Sequence, residues 1–150
     1  MNGFELFHEK VKKYDVNKIL NNVWKNFKVR EYIIKLNTEG LPTSQLYNEG
    51  IDSLGVKLGE YTPYTVQIKL SKNQRVDHIT LRDTGGFYES FTVKPNSKGF
   101  TILANPIMDD GTNLMDRFGK EIEGLTDENI KILTEFIAPF YVVEAKKILS

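Results

Sequence analysis

The side chains best placed to do chemistry are in Asp83-Thr84-Gly85, an Asp-Thr-Gly loop of the kind that lets two close carboxylates share one proton. A dimer would have to supply the second copy. Arg82 stands where aspartic proteases, which carry such a loop, place an apolar strand residue, and Gly86-Phe87 replaces a small and a polar residue. The later apolar-apolar-glycine segment is absent, with Ile102-Leu103-Ala104 in its place. An Asx-type turn accounts for the tripeptide more simply, and an aspartyl protease dimer stays as an alternative. His8 and His78 lack neighbours at metal-ligand spacing, and both are expected at the surface. Asp109, Asp110 and Asp116 lack the alternating oxygens of a calcium loop. Gly50, Gly55 and Gly59 are too irregular to cradle phosphate, and no serine sits in a nucleophile elbow. No catalytic residue, metal or cofactor is expected.

These residues belong to a chain of 150 with no cysteine, which excludes disulfides, thiolate metal sites and a cysteine nucleophile. Twenty basic and twenty acidic side chains cancel, against a protein whose main work is neutralising phosphates. The balance is uneven. Through Lys35 there are eight basic residues (Lys10, Lys12, Lys13, Lys18, Lys25, Lys28, Arg30, Lys35) and four acidic ones (Glu5, Glu9, Asp15, Glu31), so this segment carries +4 and the rest −4. A solvated lysine face is the plain reading. Head-to-tail attraction between copies, or a small nucleic-acid-associated protein using the basic helix, are the alternatives. The start of the chain does not read as a secretory leader, and charges interrupt every apolar stretch short of a membrane span. A soluble protein made in the cytosol is expected.

Apolar residues at Phe4, Phe7, Val11, Tyr14, Ile19, Leu20, Val23, Trp24 and Phe27 predict a long N-terminal helix, with an interruption possible at Asp15-Val16-Asn17. A further helix is expected from about Arg30 to Leu36. Residues 37–61 read as loop-rich and partly extended. Thr62-Pro63 caps a helix to Leu70, followed by a charged loop to Asp77. Ile79-Thr80-Leu81 reads as a short strand entering the turn at Asp83, with a helical turn over Gly86 to Ser90. Phe91-Thr92-Val93 and Phe100 to Leu103 form a hairpin around a longer loop, Pro95 to Gly99. Thr112 to Phe118 suggests a short helix. Thr126 caps a helix that Pro139 is expected to kink or break before Tyr141 to Leu149 resumes it. The expectation is one α+β domain over 1–150, with a small antiparallel sheet, a long N-terminal helix and C-terminal helices. Its parts are a helical arm (1–36), a loop-rich β core (37–119) and C-terminal helices (126–150).

Taken as one unit, residues 52–119 carry a recognisable order. Leu58-Gly59-Glu60-Tyr61-Thr62-Pro63-Tyr64-Thr65 comes first, then Leu81-Arg82-Asp83-Thr84-Gly85-Gly86-Phe87-Tyr88-Glu89-Ser90-Phe91, then strands, then Asp116-Arg117-Phe118-Gly119. This order resembles the virion-morphogenesis or tail-completion family of tailed bacteriophages over roughly the middle half of the chain. Leu81, Thr84, Gly85, Phe87, Ser90, Phe91, Phe118 and Gly119 fall on that family's pattern, with Asp83 opening the turn. Tyr61 stands where tryptophan is common, Phe87 replaces an aliphatic residue, and the His-Gln often found before Phe-Gly is missing. The resemblance implies a virion structural protein assembled in the bacterial cytoplasm. It would form a ring in the head-to-tail connector or neck, or complete the tail end, with no enzymatic role and no cofactor. Its partners would be further copies of itself and portal, adaptor or tail proteins, with DNA only as a passenger through the ring. Contacts are expected from Tyr47, Tyr61, Tyr64 and Tyr88, the 41–61 loop, the C-terminal helix, and edge strands near Val93 and Leu103.

Overall fold

Asn26 is where the first helical pattern breaks. Its side-chain oxygen accepts from the N–H groups of Lys28, at 2.9 Å, and Val29, at 3.4 Å, so it starts a new helix rather than continuing the old one. In the computed structural model, which describes residues 2–3 and 16–149, α1 (Val16–Lys25) therefore ends before Asn26 and α2 (Phe27–Asn37) begins after it. Phe27, placed on the apolar face by periodicity, is 69% exposed at the junction. The remaining expectations for residues 4–15, including Phe4, Phe7, Val11, Tyr14, His8 and the lysines at 10, 12 and 13, lie outside the described residues.

The fold is α+β, with helices around one two-stranded antiparallel sheet. After α2 come a π-helical turn (Gln45–Glu49), α3 (Pro63–Ser71), α4 (Gly86–Glu89), β1 (Thr92–Asn96), β2 (Gly99–Leu103), α5 (Leu114–Phe118), a 3₁₀ turn (Lys120–Ile122) and α6 (Asp127–Leu149). The long helix is thus C-terminal, not N-terminal. Pro139 neither breaks nor divides α6. It lies on an exposed face, as does Glu135 one turn earlier, so water can satisfy the carbonyl that the missing N–H leaves free.

Several expected caps are present. Thr62 Oγ1 accepts from Thr65 N with Pro63 in the first helical turn, and Thr126 Oγ1 accepts from Asn129 N. The hairpin forms but its loop is shorter than expected. Asn96 pairs with Gly99, leaving Ser97-Lys98 as a two-residue turn with Gly99 at φ 136°. The expected strand at Ile79 to Leu81 does not form, because Leu81 takes a left-handed φ of 60° that no strand allows.

The core runs from α1 to α6. Ile19, Val23, Val29, Ile33, Leu36, Leu46 and Ile122 are fully buried, so the described part of the 1–36 segment contributes one face to the core. Tyr32 stacks on Phe136 with centroids 3.7 Å apart, joining α2 to α6.

Three buried carboxamides stitch the helices together across the sequence. Asn37 donates to Ile122 O at 3.0 Å and accepts from Gly124 N at 2.7 Å. Gln45 donates to Gly124 O at 2.8 Å and accepts from Thr126 N at 2.9 Å. Asn129 donates to Leu36 O, Thr43 O and Gln45 Oε1. Replacing Asn37 with leucine keeps the branched outline but strands the Ile122 carbonyl and the Gly124 N–H. Asn37→Leu is expected to cost about 2–6 kcal/mol by urea unfolding, at roughly 1–3 kcal/mol for each of the two orphaned groups.

Candidate assembly surface

The segment from Ile79 to Asp83 belongs to no helix or strand, so its backbone groups need partners from elsewhere. Ile79 N donates to Gly59 O at 3.0 Å. Thr80 N donates to the Tyr61 hydroxyl at 3.0 Å, and Thr80 O accepts from the Tyr88 hydroxyl. Arg82 N donates to Thr80 Oγ1 at 3.2 Å. Arg82 O accepts from Lys69 Nζ at 3.1 Å, and Asp83 O accepts from Gln74 Nε2 at 2.9 Å. Side chains therefore replace the missing ladder, and they hold Leu81 buried in its left-handed conformation.

The pattern residues gather around this segment. Gly85, at φ 95°, leads into α4, and Phe87 in that helix meets Phe91, just beyond its C-cap, edge to face with centroids 5.0 Å apart. Ser90 donates to Phe87 O at 2.6 Å and accepts from Asn105 N at 2.9 Å, fastening the helical turn to the segment after β2. Thr84 is exposed in the turn. Phe118 packs on the core, and Gly119 (φ 86°, ψ 166°) ends α5 where a Cβ would come within 2.5 Å of Glu121 Oε2. A cleft of about 280 Å³ opens beside the segment, lined by Tyr61, Ile68, Lys69, Leu81, Met108 and Phe118 among others.

Asp83 is ion-paired with Lys72 at 3.3 Å and accepts from Gln74 at 3.3 Å. The Gln74 amide, with Lys72 behind it, holds its carboxyl below the ordinary value of 3.8. His78 is more enclosed than expected. Its ring nitrogen Nε2 lies 2.7 Å from Tyr47 O, and Gly50 packs so closely that a Cβ there would sit 2.6 Å from the ring. Among the described residues no group of three or more His, Cys, Asp or Glu could hold a metal ion, and no helix is long and apolar enough to cross a membrane.

The four tyrosines divide. Tyr64 is 74% exposed on α3. Tyr88 is buried, and burial pushes its phenol well above the ordinary range. Tyr61 spends its hydroxyl on Thr80 and its ring under Lys69, 4.7 Å from the centroid. Tyr47 is half-buried with Arg75 over its ring. The surface that composition did not reveal is the tip of the 51–57 loop, where Leu54 is 73% and Val56 58% exposed. That tip is stiff. Asp52 Oδ1 accepts from Leu54 N and Val56 N at 2.9 Å each, Ile51 bridges Lys57, and Ser53 N donates to Glu121 O at 2.8 Å. The alternation of Leu54, Gly55 and Val56 after an aspartate was its only trace in the sequence.

Comparison with protein-family models, curated proteins and solved structures found no match.

Tyr61→Phe removes only the hydroxyl that satisfies the buried Thr80 N–H, and is expected to cost about 1–3 kcal/mol by urea unfolding with an unchanged slope. A carboxyl lowered in the folded state contributes stability that is present above its unfolded value of 3.8 and lost as pH falls through its folded value. Asp83→Asn should therefore flatten the acid limb of a stability-versus-pH curve below pH 3.8. An unchanged limb would mean that Asp83 does not titrate with unfolding.

Proposed function

We propose that the chain is a structural subunit of a tailed-bacteriophage virion. It works by assembling into a ring in the head-to-tail connector, or by completing the tail end, and performs no catalysis. The observation that carries this reading is the order of Leu81, Thr84, Gly85, Phe87, Ser90 and Phe91, then a hairpin, then Phe118-Gly119. Most of these residues do structural work, in the core, at turns or in local caps, as positions that preserve a shape would. A stiff loop with an apolar tip also supports an assembly role, since central anchors of this kind carry much of the energy of an interface. Tyr64 and the exposed Ile130, Val142 and Val143 on α6 add apolar surface in the places where contacts are expected.

The test is the native mass of the purified protein, alone and mixed with portal and tail proteins encoded by neighbouring genes, followed by imaging of any large species. Closed rings or co-assembly are expected. Leu54→Asp should abolish the large species while leaving the far-ultraviolet circular dichroism unchanged. A strict monomer at high concentration that joins none of these proteins would overturn the reading.

A further inference from the structure

The hairpin blunts one of its edges and leaves the other open. Its register pairs Thr92 with Leu103, Val93 with Ile102, Lys94 with Thr101, Pro95 with Phe100 and Asn96 with Gly99. Pro95 has no N–H, so its pair with Phe100 is one of the non-hydrogen-bonded pairs, and alternation makes Val93–Ile102 the other. The N–H and C=O groups of Phe100 and Ile102 therefore point away from β1. Among the described residues no further strand lies there and these four groups have no hydrogen-bond partner. On the outer edge of β1 the corresponding position is Pro95, a common device against unwanted pairing. The edge of β2 has no such guard. A cleft of about 410 Å³ runs beside it, with Ser53 and the 120–124 segment on its far side.

We propose that β2 pairs antiparallel with β2 of a second copy about a two-fold axis at Thr101. In this register Phe100 exchanges both its bonds with Ile102 of the second copy, and Ile102 with Phe100, so that four hydrogen bonds use all eight outward groups. Registers centred on Phe100 or Ile102 leave half of these groups facing the turn or Ala104, whose N–H is already taken by Glu123 Oε1 at 2.7 Å. Thr101, exposed on the open face, meets its own counterpart in a non-hydrogen-bonded pair, a favourable cross-strand combination. The inference goes beyond ring assembly. A two-fold pair is isologous whereas a ring of more than two needs a heterologous contact, so the two use different surfaces and either can occur without the other.

The chain has no cysteine, so one introduced thiol reports on one pair of positions. Thr101→Cys places its Cα about 4.5 Å from its counterpart, within disulfide range. Lys94→Cys, on the same face of β1, lies about 14 Å from its own, three strand spacings away. Where the unaltered protein has a dimeric native mass, Thr101→Cys should convert to disulfide-linked dimers in air while Lys94→Cys stays unlinked. Thr101→Lys, which sets two like charges face to face, should return the native mass to that of a monomer with unchanged circular dichroism. A monomeric native mass at high concentration, or Thr101→Cys linking no faster than Lys94→Cys, would overturn the pairing. Rings that form without the Thr101 link would leave the assembly reading standing and remove this one; linked dimers without rings would do the reverse.

Discussion

Asn37, Gln45 and Asn129 sit almost wholly out of water where the end of α2, the π-helical turn and the start of α6 converge. A buried amide stabilises only through the bonds it makes, and here six go to backbone groups 79 to 93 residues away in sequence and one joins Asn129 to Gln45, with Asn129 Oδ1 left without a partner among the described residues. The network therefore specifies which segments meet, where apolar contacts alone would tolerate slippage. It seats Gly124 and Thr126 at the entry to α6, and so sets the direction in which that helix crosses α2. The Tyr32–Phe136 stack and the burial of Leu133 and Ile137 follow from that direction.

A second polar frame holds the 79–83 segment beside the core. Tyr61, Tyr88, Lys69 and Gln74 come from three separate stretches of chain and supply what a neighbouring strand would otherwise provide. Placing Leu81 in a left-handed conformation costs about 1–2 kcal/mol. Burial of its side chain, about 1.5–3 kcal/mol, offsets that cost. The Asp-Thr-Gly turn that follows is thus the exit from a tightly held loop, with its carboxylate occupied by Lys72 and Gln74.

The surfaces left over suit association. The 51–57 tip is stiff enough to bind without a large ordering cost, because Asp52 and the Ile51–Lys57 bridge have already fixed its backbone. The open edge of β2 offers directional hydrogen bonds instead of apolar area, so the two surfaces would recognise different things. A protein with a balanced overall charge and +4 on its first 35 residues can bring copies together without a strong net repulsion.

By itself the sequence determined the elements whose causes are local. Thr62-Pro63 and Thr126 cap helices because a hydroxyl needs only an N–H three residues on. Phe87 and Phe91 meet because four residues make about one helical turn, and the hairpin follows from apolar runs flanking a turn. The break at Asn26 is local as well, a side-chain oxygen accepting from N–H groups two and three residues on, although the apolar periodicity runs past it. Only the tertiary structure decided the rest. Pro139 stays inside α6 because it faces water, and Ile79 to Leu81 is no strand because distant side chains claim its backbone. Tyr88, expected at a contact, is buried, since a tyrosine suits an interface and a core equally and only its hydroxyl's partner, the Thr80 carbonyl, decides which way it turns.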